Sequence, residues 1–334
     1  MRIEASLEEW RELYNVAIEI HKIKPWTKLS VLDLITIFLK GQEEPCLCSV
    51  MGQLGERYGV YMYIGDEAIT DFFQLINSSD MPHNQIIRYQ NSVICHFGSR
   101  EELVKEEREI IKKLGIKFRG KNNWIYFRVN EKGYSPYMPD KGQVLMITEI
   151  LKNLYMAIGA LNEGLNVRFK QGKALFRVFN EERDLWLNFE DNTYVPREHY
   201  MVPEIDDELF LKRLNKQPRT NNILELDVIY LSTFMRSEIL EKMSLMKLAL
   251  VVDGETGELF RNEIVTLEDN EMDILFRCLI DYITIIGIPK IILVRDIYTN
   301  NVLSDICSKL NIEMHILSTL YSIDRFAGAF DQIR

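Results

Sequence analysis

Hydrophobic positions along the chain repeat at two spacings, and the changes between them mark out helices and strands. Trp10, Leu13, Tyr14 and Ala17 recur at i, i+3, i+4 and i+7, the stripe of an amphipathic helix. Ser6 and Glu9 ahead of the stripe have the capping-box spacing, and Lys24-Pro25 marks its end. Three apolar runs follow, Leu34–Leu39, Cys46–Met51 and Val60–Ile64, with turn residues at 41–45 and 52–59 between them. They predict an antiparallel meander. Asp66 is placed to cap a helix over 67–76, and Ser99 one over 100–114, with a strand at Ser92–Phe97 between them. A long helix is predicted from Val144 to Leu161, then a hairpin of Ala174–Phe179 and Leu185–Phe189 around Asn180-Glu-Glu-Arg183.

Residues 194–222 are rich in proline, asparagine and charge, which predicts a boundary near 205–220. Residues 1–205 are then an α+β domain with an antiparallel sheet, and 220–334 a second, α/β domain. The second opens with strands Ile223–Leu231, Leu248–Val252 and Leu259–Val265, the last two joined through Asp253-Gly-Glu-Thr-Gly257. Leu275, Cys278, Leu279, Tyr282, Ile283 and Ile286 mark a helix. The buried run Ile291–Val294, an amphipathic segment with Val302, Leu303, Ile306 and Leu310, and the run Ile312–Leu317 predict a parallel, right-handed βαβ crossover. A last helix runs from Tyr321, giving the order β-β-β-α-β-α-β-α.

Composition narrows the setting more than the function. Hydrophobic residues make up 47% and charged residues 27%, as in ordinary globular proteins. No uninterrupted apolar run reaches the ~18–20 residues of a membrane span, and the start, with Glu4, Glu8 and Glu9, lacks the pattern of a signal peptide. Five scattered cysteines suit a reducing cytoplasm better than a disulfide framework. The net charge is −10, and residues 204–334 hold 22 acidic against 14 basic side chains. That balance favours a protein partner over nucleic acid, whose binders carry a basic footprint.

The order of the last eight elements is that of the ribonuclease H-like fold. Leu226-Asp227, Ala249-Leu-Val-Val-Asp-Gly-Glu-Thr-Gly257, Gly287-Ile-Pro-Lys-Ile-Ile-Leu-Val-Arg-Asp296 and Leu310-Asn-Ile-Glu313 resemble the retroviral-integrase or transposase core within it. The resemblance implies a divalent-metal nuclease or phosphodiesterase, with Asp227, Asp296 and Asp331 (or Asp324) as catalytic carboxylates. Asp227 and Asp296 would hold Mg²⁺ or Mn²⁺, which separates like charges and activates a water. The chain departs from that group in three ways: Asp296 is followed by Ile297-Tyr-Thr299 instead of Asn-Gly, the final acid is Asp instead of Glu, and no basic module flanks the core. Earlier in the chain, Cys48-Ser-Val-Met-Gly52, Gly55-Glu-Arg-Tyr-Gly-Val60, Ile111-Lys-Lys-Leu-Gly-Ile-Lys-Phe-Arg-Gly120 and Gly133-Tyr-Ser-Pro-Tyr137 are similar to a two-domain bacterial family of unknown function, common in Gram-positive lineages.

Each candidate site has a plain structural counterpart. Asp227 reads equally as an edge-strand charge, Asp296 as the cap of a helix beginning near Thr299, and Asp331 as a solvated residue. Lys113, Lys117, Arg119, Lys121 and Trp124, with Lys112 and Arg128, interleave cations and aromatics as a nucleic-acid surface does. A helix end running into a strand looks the same. Cys46, Cys48, Cys95 and His96 could bind zinc or be buried thiols beside a core histidine. The expectation is a non-catalytic interaction module with a degenerate ribonuclease H-like domain and no cofactor.

Overall fold

Helix α1 (Leu7–Ile23) starts where the capping box places it: the Ser6 hydroxyl accepts the Glu9 N–H, and the Glu9 carboxylate accepts that of Ser6. The computed structural model of the chain describes residues 2–77, 81, 83–197, 202–236, 243–266 and 269–331. The side chains at 83, 84, 232, 234–236, 330 and 331 lie outside that description, Asp331 among them. Contacts divide the chain into two compact units. The first is Met1–Phe73, Gln90–Glu131 and Pro136–Glu198; the second is Gln74–Tyr89, Lys132–Ser135 and His199–Arg334. The second thus takes in two stretches from inside the span expected of the first domain.

The first unit is a seven-stranded sheet in the order β5-β4-β3-β2-β1-β6-β7. Its meander is β1 (Ile35–Phe38), β2 (Cys46–Met51), β3 (Tyr58–Ile64), β4 (Ser92–Gly98) and β5 (Trp124–Asn130), antiparallel throughout. The hairpin β6 (Lys173–Asn180) and β7 (Leu185–Asn192) joins it through β1, which pairs with β6 in parallel. The sheet is therefore mostly antiparallel, not wholly so. Cys46, Cys48 and Val50 face α1 and α4 (Lys141–Asn162), as period-two alternation requires, while Leu47 faces α2 (Gly65–Asn77).

Two local expectations are corrected. The helix expected over 100–114 is two pieces, a short 3₁₀ turn at Arg100–Glu102 and α3 (Lys105–Lys113). Leu103 and Val104 are extended between them: Leu103 is buried in the core, and the Glu107 carboxylate takes the Val104 N–H at 2.9 Å to start a second helix. Asp66 does not cap α2 but lies within its first turn, accepting the Tyr194 hydroxyl at 2.7 Å. Helix α4 has the length and apolar content of a membrane span. Val144, Ile147, Leu151, Leu154 and Ile158 nevertheless lie in the core of the unit, so it is a core helix.

The main stretch of the second unit begins with α5 (Glu208–Leu214), where a domain boundary is expected. Its sheet has the order β10-β9-β8-β11-β12. The strands β8 (Ile223–Arg236), β9 (Met243–Asp253) and β10 (Leu259–Val265) are antiparallel. The strands β11 (Ile291–Val294) and β12 (Glu313–Ile316) run parallel to β8. Helices α6 (Glu271–Ile285) and α7 (Ile297–Leu310) cover one face, burying Leu226, Val228, Ile292 and Val294. Helix α8 (Tyr321–Asp331) covers the other, against Ile229 and Leu231. Strand β8 is central, so Asp227 is not an edge-strand charge.

Gly287 closes the turn from α6 into β11 at φ 134°, where a Cβ would stand 2.4 Å from the Pro218 carbonyl oxygen. Gly287→Ala is expected to remove about 2–3 kcal/mol of stability through backbone strain. Urea unfolding followed by far-UV circular dichroism measures it, and an unchanged midpoint contradicts the reading.

Candidate functional site

The parallel pairing of β11 with β8 reaches only to Leu293 and Glu225. Beyond it β8 continues while β11 ends, and the fork between them is the kind of crevice at carboxyl ends of parallel strands where α/β sheets bind ligands. Asp227 stands on β8 at this fork, fully buried. Arg295 and Asp296 leave β11 beside it, and α8 brings Asp324. Three of the four aspartates singled out from sequence therefore meet here; the side chain of Asp331 is outside the described residues.

What joins them is a pair of arginines. Arg295 donates from Nε to Asp227 Oδ2 at 2.7 Å and from Nη2 to Asp324 Oδ1 at 2.5 Å, and its Nη1 holds the Ser318 carbonyl at 2.7 Å. Arg88, from the 83–89 turn that belongs to this unit, donates from Nη2 to Asp227 Oδ1 at 2.9 Å and to the Val228 carbonyl at 2.7 Å. Its Nη1 lies 3.3 Å from Asp296 Oδ2, an ion pair without hydrogen-bond alignment. Backbone donors complete the set: Val228 N–H to Asp227 Oδ1, Thr299 N–H to Asp296 Oδ1 and Leu320 N–H to Asp324 Oδ2. Asp296 is thereby the N-cap of α7, where negative charge suits the helix dipole.

Each of the six carboxylate oxygens has a donor or cation from the protein itself. The formal charge of the three aspartates and two arginines is −1, without a metal. Burial by itself lowers the pKa of Arg88 and of Arg295, but the aspartates more than offset it and hold both above the ordinary arginine value. Glu225, two residues before Asp227 on β8, caps α8 by accepting the Ile323 and Ser322 N–H groups at 2.8 and 3.2 Å. Burial raises its pKa, and those two bonds offset only part of the rise.

A divalent cation does not fit this arrangement. Such an ion needs carboxylate oxygens turned to a common point, and here the guanidinium groups occupy those directions. Among the described residues no group of three or more His, Cys, Asp or Glu side chains is placed to hold a metal. The zinc alternative fails on strand geometry: Cys95 and His96 are consecutive on β4 and point to opposite faces. Cys46 and Cys48 share a face, with Sγ atoms 3.8 Å apart, but lie in the apolar core with their thiols buried.

The basic stretch is a surface. Lys113, Lys117, Arg119 and Lys121 are exposed, while Trp124 is half-buried against Phe118 with Arg100 above its ring. Arg128 turns inward to pair with Glu107. The residues that sequence reasoning missed are Arg88 and Arg295. Arg295 had a signal, a cation directly after a buried strand; Arg88 had none, because its partner Asp227 is 139 positions away.

Arg295→Ala leaves a buried carboxylate short of its principal partner, and the expected loss is about 3–5 kcal/mol. Adding Asp227→Ala should recover part of it, and chemical denaturation of the single and double variants reads the coupling. In the first unit, burial, then Arg128 and Arg57, lower the His96 pKa to about 4. A lowered folded-state value gives stability that is present above the ordinary imidazole range and lost as pH falls through about 4. His96→Phe, which keeps a ring against Tyr126, should flatten that acid-side decline in a pH series of thermal melts.

Residues 10–177 match the family described as Domain of unknown function (DUF7309), and residues 210–331 match Domain of unknown function (DUF6930). No curated protein matches the chain in sequence. Among solved structures, a chain in the cryo-EM structure of the simian T-cell lymphotropic virus intasome in complex with PP2A regulatory subunit B56 gamma is similar. The likeness has 16% identity and a TM-score of 0.24, and it covers 34% of this chain and 42% of that one, less than half its length. The match at 10–177 spans half of the present sequence, with the second match following it: the chain belongs to the family of the Domain of unknown function DUF7309.

Proposed function

We propose that the second unit is a ribonuclease H-like domain without catalytic activity, and that the protein works as an interaction module for a protein partner. The carrying observation is the engagement of all six oxygens of Asp227, Asp296 and Asp324 by Arg88, Arg295 and backbone N–H groups. The strand order β10-β9-β8-β11-β12, antiparallel on one side of β8 and parallel on the other, supports the fold assignment. In this reading the guanidinium groups stand where a nuclease of this fold would place divalent cations. They neutralise the same carboxylates, but arginine neither exchanges nor activates water, and at its pKa it stays charged at every working pH.

A nuclease or phosphodiesterase using Mg²⁺ or Mn²⁺ would have to expel both arginines from Asp227 and Asp296 before binding its metal. That exposes buried charges to one another, a step disfavoured by several kcal/mol. The partner follows from charge and surface. An excess of acid in the second unit repels a phosphate backbone. Ile316, Leu317 and Tyr321 are exposed close together where β12 passes into α8, a surface suited to protein contact. Five buried, unpaired thiols suit a cytoplasmic setting.

Isothermal titration of the full chain with Mn²⁺ is expected to give no saturable heat, and incubation with DNA or RNA and Mn²⁺ no cleavage. Saturable binding or cleavage that disappears in Asp296→Ala overturns the proposal.

A further inference from the structure

The seven-stranded sheet has two edges, and they are treated differently. On β5, Tyr137 exchanges backbone bonds with Val129 at 2.8 and 3.1 Å, which blocks continuation there. Among the described residues strand β7 has no such cover. It is paired to β6 over its whole length, and no Pro, Lys or Arg interrupts residues 185–192, although edge strands are commonly protected by those residues. In the second unit, β10 is protected by Arg261 and Glu263, and β12 has only four residues.

The ladder defines which groups are open. Thr193 N–H donates to the Gly172 carbonyl at 3.1 Å, so odd-numbered residues of β7 bond to β6. The N–H and C=O groups of Trp186, Asn188 and Glu190 therefore point away from the sheet. One face of the same strand carries Leu185 and Phe189, 41% and 38% exposed, with half-buried Leu187 between them.

We infer that β7 is a self-association edge, where a second copy of this chain pairs antiparallel and makes one continuous sheet. The sequence of the strand is self-complementary about Leu187. Antiparallel pairing centred there sets Leu185 opposite Phe189 of the second copy and Trp186 opposite Asn188, the register the open peptide groups require. The same register brings exposed Arg183 of one copy near exposed Asp191 of the other, twice by symmetry. The like charges that would also approach, Asp184 and Glu190, are already balanced within the chain. Lys40 lies 3.5 Å from Asp184, and Arg168 holds both oxygens of Glu190. Backbone pairing supplies the join, the apolar stripe drives it, and the flanking charges select a second copy over other extended chains.

Sedimentation equilibrium of the full chain tests this. The expected result is a concentration-dependent dimer that Leu187→Lys, which sets two ammonium groups face to face at the symmetry axis, converts to monomer. Far-UV circular dichroism should show that variant folded. Arg183→Glu and Asp191→Arg should each weaken the dimer roughly tenfold, since each makes two facing pairs repulsive. The double variant Arg183→Glu/Asp191→Arg should restore it. Both positions are exposed, so these variants keep the test open if Leu187→Lys fails to fold. A chain that stays monomeric, even one that captures an extended peptide of another protein, overturns the inference. So does a dimer indifferent to these substitutions.

Discussion

A fully buried carboxylate, Asp227, constrains the second unit more than any other group. An ionised side chain in that position is strongly disfavoured unless each oxygen is met by a donor. Arg295 follows directly from the strand next to it, and Arg88 comes from a turn far away in sequence. Neither arginine could be buried without the aspartates either. The cluster therefore forms together, and it ties β8, β11, α7, α8 and the 83–89 turn to one point.

That point coincides with the fork where parallel pairing ends. Forks of this kind leave room at the ends of strands, with helix N-termini facing in, and α/β proteins place ligands there. Here the room is filled from within. Asp296 caps α7, Glu225 caps α8, and the guanidinium groups take the remaining oxygens. The polar residues at this fork form an internal ion-pair network of the domain.

The first unit handles buried polar groups by the same rule on a smaller scale. Arg177 is held by Asn153 at 2.8 Å and lies over Trp186, Glu107 pairs with Arg128, and Asp66 takes the Tyr194 hydroxyl. Its open place is peripheral: Leu185 and Phe189 on the hairpin strand β7 are exposed, and among the described residues no further strand pairs with that edge. The two units thus differ in where their polar groups sit, paired charge inside one and, among the described residues, an open strand edge in the other.

Much of the fold was legible in the residues. Helical spacing and the Ser6–Glu9 cap located the start of α1 to the residue, and the run from Ile291 to Val294 located β11, because local periodicity and capping are set by neighbours a few positions apart. The aspartates of the site could be named for the same reason, each lying at the end or middle of a readable strand or helix. Their meaning could not. Whether Asp227 faced a metal, solvent or a cation depended on Arg88, 139 residues earlier, and no local pattern encodes a pairing across that distance. The parallel union of β1 with β6, the break of the expected helix at Leu103 and the burial of Asp227 were likewise settled by long-range packing. Sequence by itself determined the elements and the acids they carry; tertiary structure decided that arginine would neutralise those acids, because only the folded chain fixes which charges share a dry site.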